Sequence, residues 1–241
     1  MKTESGSIWV SKADAFDWLA KLPDESVDLV VTDLPYESLE KYRETGTTTR
    51  LSKSKASSNE WFGVIPNERL PFFCSELYRV LKPKTHCYLF CDDETSDILK
   101  AAAIQAGFHV WKRLVWSKEV RGMGYHYAAQ YEFILFLEKG KKKAVSGKMF
   151  HGTRQLNTLA HPDVLSFKRI KSNSAYPTEK PLELLELLIT NSSNEGELVV
   201  DPFMGSGVAG LASLKNGRYF WGCDISPESL RRTDLLLETY G

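Results

Sequence analysis

The chain lacks the long apolar segments of membrane and secreted proteins. Its apolar runs have the length of strands and are interrupted by polar residues, whereas a transmembrane helix needs roughly 20 apolar residues. The N-terminal Met1-Lys2-Thr3-Glu4 is not followed by the apolar region of a signal peptide. We therefore expect a cytoplasmic protein that does not enter a membrane.

Cysteine and histidine are too few and too scattered to predict a metal site. The four cysteines contain no C-x-x-C pair, and the five histidines lack the spacing of metal ligands. We expect reduced, structural thiols and no metal. The acidic Asp92-Asp93-Glu94 leaves a metal or a second base as an alternative, although such residues more often cap the helix that follows them.

Net charge is absent as well, since 31 Lys and Arg balance 31 Asp and Glu. The charges are nevertheless unevenly distributed. Residues 139–171 contain nine basic residues and one acid, and a local excess of this size can neutralise several nucleic-acid phosphates. An ordinary solvated basic loop is the alternative. A length of 241 residues with 42% hydrophobic content predicts one domain over residues 1–241.

The most informative segment is Asp201-Pro202-Phe203-Met204-Gly205-Ser206-Gly207, near the C-terminus. Two valines before it indicate a buried strand, and the glycines permit a sharp turn into a helix predicted over 208–216. In an open α/β sheet such a corner binds ligands, because helix N-termini present unpaired N–H groups there. A tight turn without a ligand is the alternative.

The acids around this corner indicate the kind of ligand. Gly205, Gly207 and Gly210 form G-x-G-x-x-G, and Asp224 ends the next predicted strand, which is the pattern of a dinucleotide site. Asp201, however, precedes the glycines and would repel a pyrophosphate. S-adenosylmethionine fits better, because it has an amino group for Asp201, a ribose for Asp224 and no phosphate. A dinucleotide oxidoreductase is the weaker alternative.

A second motif follows the strand predicted over 26–32. Because Pro35 cannot continue a helix and favours extended geometry before it, Asp33 and the Leu34 carbonyl are held at the strand's tip. Two acceptors there can bind both N–H bonds of an exocyclic amine on a nucleobase and stabilise the charge that develops on methylation. Tyr36 offers a stacking face for a flipped base. A simple turn, in which Asp33 caps and Tyr36 packs, is the alternative.

The remaining segments complete a predicted α/β sheet. Helices are predicted over 15–22, 67–81 and 95–106, and strands over 85–91, 108–116 and 131–137, the last two as an antiparallel pair closing the sheet's edge. Residues 38–60 lose apolar periodicity and indicate a mobile loop. Thr178 and Lys180 lie where Pro181 opens another helix, a position suited to an anion such as a carboxylate.

These motifs resemble those of the DNA amino-methyltransferases of the beta group, which act on adenine N6 or cytosine N4. Asp33-Leu34-Pro35-Tyr36 is similar to D-P-P-Y, Tyr176-Pro177-Thr178-Glu179-Lys180-Pro181 to H-P-T-Q-K-P, and the segment 201–207 to D-P-F-x-G-S-G. The stretches 115–118 and 132–140 are similar too, so the likeness spans nearly the whole chain in the family's order. Leu34 and Tyr176 depart from the pattern without removing a proposed catalytic group.

The resemblance implies a Rossmann-like fold of the class I methyltransferase type, with a seven-stranded mixed sheet and helices on both faces. It also implies S-adenosylmethionine as cofactor, double-stranded DNA as substrate, and a short basic target-recognition insert at 141–172. The catalytic residues that it implies are Asp33, Leu34, Pro35 and Tyr36. The cofactor residues that it implies are Asp14 at the adenine, Asp224 at the ribose, Thr178 and Lys180 at the carboxylate, and Asp201, Phe203 and Gly205 at the methionine end. Ser206, Gly207 and Ile225 are expected to bind the cofactor as well.

Several alternatives stay open at this point. Adenine is favoured over cytosine, because relatives with Asp first in the tetrad are mostly adenine enzymes. Methylation of cytosine N4 or of RNA, or a non-catalytic DNA-binding relative with the same fold, would share the motifs. The sequence leaves open the recognition sequence, a restriction partner, and whether the protein is a monomer or a homodimer.

Overall fold

A computed structural model describes residues 7–38, 63–122, 126–140, 142–145, 148–151, 154–170 and 179–240. Most of the predicted loop at 38–60 lies outside the described residues, as does Thr178. The predicted basic insert at 141–172 is described in part. In the described part of the chain, no helix is long and apolar enough to cross a membrane.

Strands and helices alternate along most of the described chain. The strands are β1 Ile8–Lys12, β2 Val27–Asp33, β3 Leu81–Cys91, β4 His109–Ser117, β5 Tyr131–Glu138, β6 Lys142–Val145, β7 Lys148–His151, β8 Val164–Ser166, β9 Leu198–Asp201 and β10 Tyr219–Asp224. The helices are α1 Ala15–Leu19, α2 Leu70–Val80, α3 Asp93–Ala106, α4 Leu182–Ser192, α5 Val208–Lys215 and α6 Pro227–Tyr240. A 3-10 turn, Asn67–Arg69, leads into α2.

Eight of the described strands form one mixed sheet in the order β1-β10-β9-β2-β3-β5-β4-β8, and β6 pairs with β7 in a separate hairpin. The predicted mixed α/β sheet is confirmed, but the expected number of seven strands is wrong. The additional strand is β8, which lies within the predicted basic insert and pairs in parallel with residues 115–117 of β4. Three residues are too few to show a period in sequence. The antiparallel β4 and β5 form as predicted, but β8 occupies the edge.

Helices cover both faces of the sheet. Successive residues of a strand point to opposite faces, so each strand contributes side chains to both cores. Val30 of β2 packs in one core with residues of α1, α2 and α3. Its neighbours Leu29 and Val31 pack in a second core with residues of α4, α5 and α6. The central strand β2 is buried over six of its seven residues, which explains its continuous apolar character.

The parallel strands direct their acidic last residues toward one edge of the sheet. Asp33 ends β2, Asp201 ends β9 and Asp224 ends β10. The register of β2 and β9 pairs Val30 with Val200, so Asp33 projects about two residues beyond the level of Asp201. The fold therefore gathers carboxylates from three strands at the edge where open α/β sheets bind ligands.

Candidate functional site

A cavity of about 410 Å³ opens at the carboxyl ends of these strands. Of the predicted catalytic and cofactor residues that the structure describes, all except Gly207 line this cavity. The lining also contains both key carboxylates, Asp33 and Asp201. A cavity of this size is typical of small-molecule sites.

Asp201 lines the cavity and is 5% exposed. One oxygen, Oδ1, accepts hydrogen bonds from the Thr32 hydroxyl at 2.6 Å and from the Phe203 N–H at 3.0 Å. Burial raises the pKa of Asp201 to about 7, against the effect of these two hydrogen bonds, and the nearby Asp33 and Asp224 raise it further. The site thus holds a carboxylate that a cationic ligand would stabilise in its ionised form.

Asp224 connects the glycine turn to the end of β10. Its Oδ2 accepts the Gly205 N–H at 3.1 Å, and its Oδ1 accepts the Ser226 N–H at 2.8 Å. Burial raises the pKa of this carboxyl above its usual value, and the two backbone N–H groups oppose the rise. The turn also requires Gly207, whose φ is +81° and whose missing Cβ would lie 2.5 Å from the Thr233 hydroxyl oxygen. Gly207 therefore shapes the cavity without lining it.

Aromatic rings form another wall of the cavity, beside Asp14. Asp14 caps α1, because its Oδ1 accepts the Phe16 N–H at 2.9 Å. Arg69 lies over the Phe16 ring at 3.6 Å, and Phe203 lies 5.5 Å from Phe73. Phe16, Arg69 and Phe203 line the cavity, so this wall is largely aromatic and can pack against an apolar or aromatic ring of a ligand.

Lys180 contacts a predicted catalytic residue. Its ammonium forms an ion pair with Oδ2 of Asp33 and lies 5.2 Å from the Phe90 ring and 5.9 Å from the Trp116 ring. Burial would lower the pKa of Lys180, but the charges of Asp33 and Glu132 outweigh it and raise that pKa. The assignment of Lys180 to a cofactor carboxylate remains a prediction.

Glu132 and Lys118 extend this ion pair and were not identified from the sequence as site residues. Glu132, on β5, lies 3.5 Å from Lys180, and Lys118 lies 2.6 Å from the other oxygen of Glu132. Burial opposes ionisation of Glu132, yet the two lysines lower its pKa below the usual value. A signal was present, since Glu132 is the single acid at the start of an otherwise apolar strand, 131–137.

Asp92, the first of the acidic residues 92–94, caps helix α3, which is the use that the sequence favoured over a metal or a second base. Asp92 accepts the Thr95 N–H at 2.8 Å at the start of α3, and the Ser38 hydroxyl donates to its other oxygen. Beside it, Tyr36 is half-buried and forms a backbone bridge with Ile65. Burial, together with the charge of Asp33, raises the pKa of Tyr36, so its hydroxyl stays neutral.

The described residues of the basic segment, 139–171, lie partly at the edge of the sheet that holds the cavity and partly at the opposite edge. Lys139 follows β5 and lies near the amino ends of the parallel strands, where its ammonium donates to the Leu81 carbonyl at 2.8 Å. Arg154 forms an ion pair with Glu197 at 2.7 Å, just before β9 begins. Lys139 and Arg154, which flank the β6–β7 hairpin, are therefore held at the edge opposite the cavity. The chain then returns through β8, and Arg169 lines the cavity.

Comparisons with known proteins identify the family of the chain. Residues 27–234 match the family model N6_N4_Mtase, described as DNA methylase. The type II methyltransferase M.HpaI of Haemophilus parainfluenzae is 29% identical over 231 residues, which cover 90% of this chain and 69% of that protein. The DNA adenine methyltransferase YhdJ of Escherichia coli (strain K12) is 29% identical over 251 residues, covering 92% and 81%.

Solved structures share the fold. The crystal structure of the M1.HpyAVI–SAM complex has a TM-score of 0.65 at 22% identity and covers 95% of this chain and 98% of that chain. The PvuII DNA methyltransferase (cytosine-N4-specific) has a TM-score of 0.69 at 15% identity, covering 95% and 88%. At these identities the likeness shows a common architecture.

Proposed function

This chain belongs to the DNA methylase family that residues 27–234 match, and we propose that it methylates the exocyclic amine of a flipped base in double-stranded DNA, using S-adenosylmethionine. The observation that carries the proposal is that Asp33 and Asp201 line the same cavity. Methyl transfer requires the donor and the acceptor nitrogen within about 3–3.5 Å of each other, so their binding groups must be neighbours.

The residues around Asp201 suit the cofactor. Its α-amino group would meet the Asp201 carboxylate, its ribose hydroxyls would donate to Asp224, and its adenine would lie beside Asp14 and the Phe16 ring. A pyrophosphate would instead face the buried Asp201 and the half-buried Asp224, which disfavours a dinucleotide. When bound, S-adenosylmethionine supplies an activated methyl group.

The residues 33–36 suit the acceptor. The Asp33 carboxylate and the Leu34 carbonyl would accept the two N–H bonds of the target amine, which favours a pyramidal nitrogen and stabilises its developing positive charge. The Asp33 side chain is 32% exposed, so it is accessible from the cavity. Tyr36 would stack on the base. Because the site is largely buried, these interactions are stronger than they would be in water.

We propose adenine N6 as the target. Asp33 as the first residue of the tetrad and the likeness to the adenine enzyme YhdJ support this choice. The decisive experiment is incubation with labelled cofactor and unmodified genomic DNA, followed by digestion to nucleosides and mass spectrometry. We expect N6-methyladenine. N4-methylcytosine would refute the choice of base, and unlabelled DNA would refute the proposed activity and favour a non-catalytic DNA-binding protein.

The role of Asp33 has its own test. We expect Asp33→Ala to lower the methylation rate by about 10²-fold or more, because an acceptor aimed at the developing charge is lost, while cofactor affinity in calorimetry stays near that of the wild type. Asp93→Ala is the matched control, since Asp93 is an exposed acid on α3. Wild-type methylation by Asp33→Ala would show that Asp33 has no part in the transfer.

A further inference from the structure

We propose that Lys180 is a positioning residue for Asp33. The Lys180 ammonium interacts with both Asp33 and Glu132, and this arrangement keeps Asp33 ionised and oriented while it binds the target amine. This inference rests on the proposed function, because it concerns the residue that accepts the amine. It assigns Lys180 to the acceptor half of the cavity instead of the cofactor half.

The surroundings of Lys180 support this assignment. The residue is 8% exposed and immediately precedes Pro181, the N-cap of α4, so its backbone is held by a rigid residue. Its ammonium lies between Asp33 and Glu132, against the rings of Phe90 and Trp116. A buried ammonium that already has two carboxylate partners gains little from a third anion.

Asp33 needs such a partner for its proposed task. Only the ionised carboxylate presents acceptors alone, whereas a protonated carboxyl also presents an O–H donor, which repels an N–H group. Burial raises the pKa of Asp33, Lys180 opposes that rise, and Glu132 adds to it. The two neighbours therefore act on Asp33 in opposite directions.

Sharing the ammonium allows the substrate to enter. Lys180 contacts Oδ2 of Asp33, an oxygen that can also serve the amine. When the amine binds, Glu132 can keep the ammonium neutralised, and Lys118 holds Glu132 in place at 2.6 Å. Without Glu132, Lys180 would compete with the substrate for Asp33.

Other titratable groups face the cluster of Lys180, Asp33 and Glu132 from the neighbouring strands. They are Lys118 after β4, Asp201 at the end of β9, Tyr36 after β2 and Cys91 at the end of β3. The pKa values of Tyr36 and Cys91 are raised by burial, so both stay neutral over the pH range in which a carboxyl titrates. Asp201 is common to all the variants below.

The test is the pH profile of kcat/KM for DNA methylation at S-adenosylmethionine concentrations that saturate each variant at every pH, so that bound cofactor keeps Asp201 ionised and the acid limb reports Asp33. We expect Lys180→Met to move this limb upward by roughly one to three pH units, because a contacting positive charge is lost. We expect Glu132→Gln to move it downward, because a negative charge is lost. Lys180→Arg should keep the wild-type limb, and Lys215→Met removes a lysine from a remote pair with Glu186 as a control.

Calorimetry of each variant with S-adenosylmethionine completes the test. Unchanged affinity in Lys180→Met, with opposite shifts in Lys180→Met and Glu132→Gln, supports the proposal. Loss of cofactor binding in Lys180→Met would overturn it and place Lys180 at the cofactor, and unmoved acid limbs would reduce the cluster to a structural role. If Lys180→Met does not fold, the direction of the Glu132→Gln shift decides. An inactive wild type would instead refute the proposed function itself.

Discussion

Asp201 is the group at which cofactor affinity should depend most clearly on pH. Its pKa of about 7 results first from burial, with Thr32 and Phe203 opposing the rise and Asp33 and Asp224 adding to it. The amino group of the cofactor is a cation, which binds the ionised carboxylate. The free protein must therefore release a proton from Asp201 whenever that residue is protonated before binding.

The size of the effect follows from this pKa. With a value of about 7, roughly half of the free protein has Asp201 ionised at pH 7, but only about 3% at pH 5.5. The apparent dissociation constant of S-adenosylmethionine should therefore be about fifteenfold higher at pH 5.5 than at pH 7. The comparison stops at pH 7, because an α-amino group loses its own proton near pH 8.

Isothermal titration calorimetry measures both the affinity and the proton release. Titrations at each pH in two buffers of different ionisation enthalpy should show about half a proton released per cofactor at pH 7 and nearly one at pH 5.5. In Asp201→Asn, the affinity should be weak at both pH values and the part of the pH dependence that belongs to Asp201 should vanish. Equal wild-type affinity at pH 5.5 and pH 7 would refute the reasoning.

Three further predictions concern stability, each measured by urea denaturation. Burial raises the pKa of Asp201 from 3.8 to about 7, so its protonation stabilises the fold at low pH and this contribution is lost as the pH rises from about 4 to about 7. Asp201→Asn should therefore raise the free energy of unfolding by about 4 kcal/mol at pH 8 and by almost nothing at pH 4. Gly207→Ala should cost clearly more than Gly196→Ala, since both have positive φ but only Gly207 would collide with Thr233; equal costs would exclude that collision. Burial lowers the pKa of His86 from 6.5 to about 4, so stability should fall by about 2 kcal/mol between pH 7 and pH 5, and His86→Gln should remove this loss; an unchanged pH dependence would contradict it.

Local chemistry was sufficient to place the two motifs of the candidate site at strand ends. Pro35 and the glycines after Asp201 restrict their own backbone, and each motif follows a buried strand, so its position at a strand tip could be predicted from neighbouring residues alone. Parallel strands then bring such tips to one edge. The shared cavity of Asp33 and Asp201 is the consequence, and the structure shows it.

Only the tertiary structure decided how the charges are paired. Lys180, Asp33 and Glu132 come from distant parts of the chain, and no local pattern relates them. The strand number depended on β8, whose three residues form a strand only because β4 offers a free edge. The position of the basic hairpin depended on the antiparallel direction of β5, which carries the chain to the edge opposite the cavity. A count of charges along the sequence contains no direction, whereas a strand in a sheet has one, and that is why the sequence alone could not place this segment.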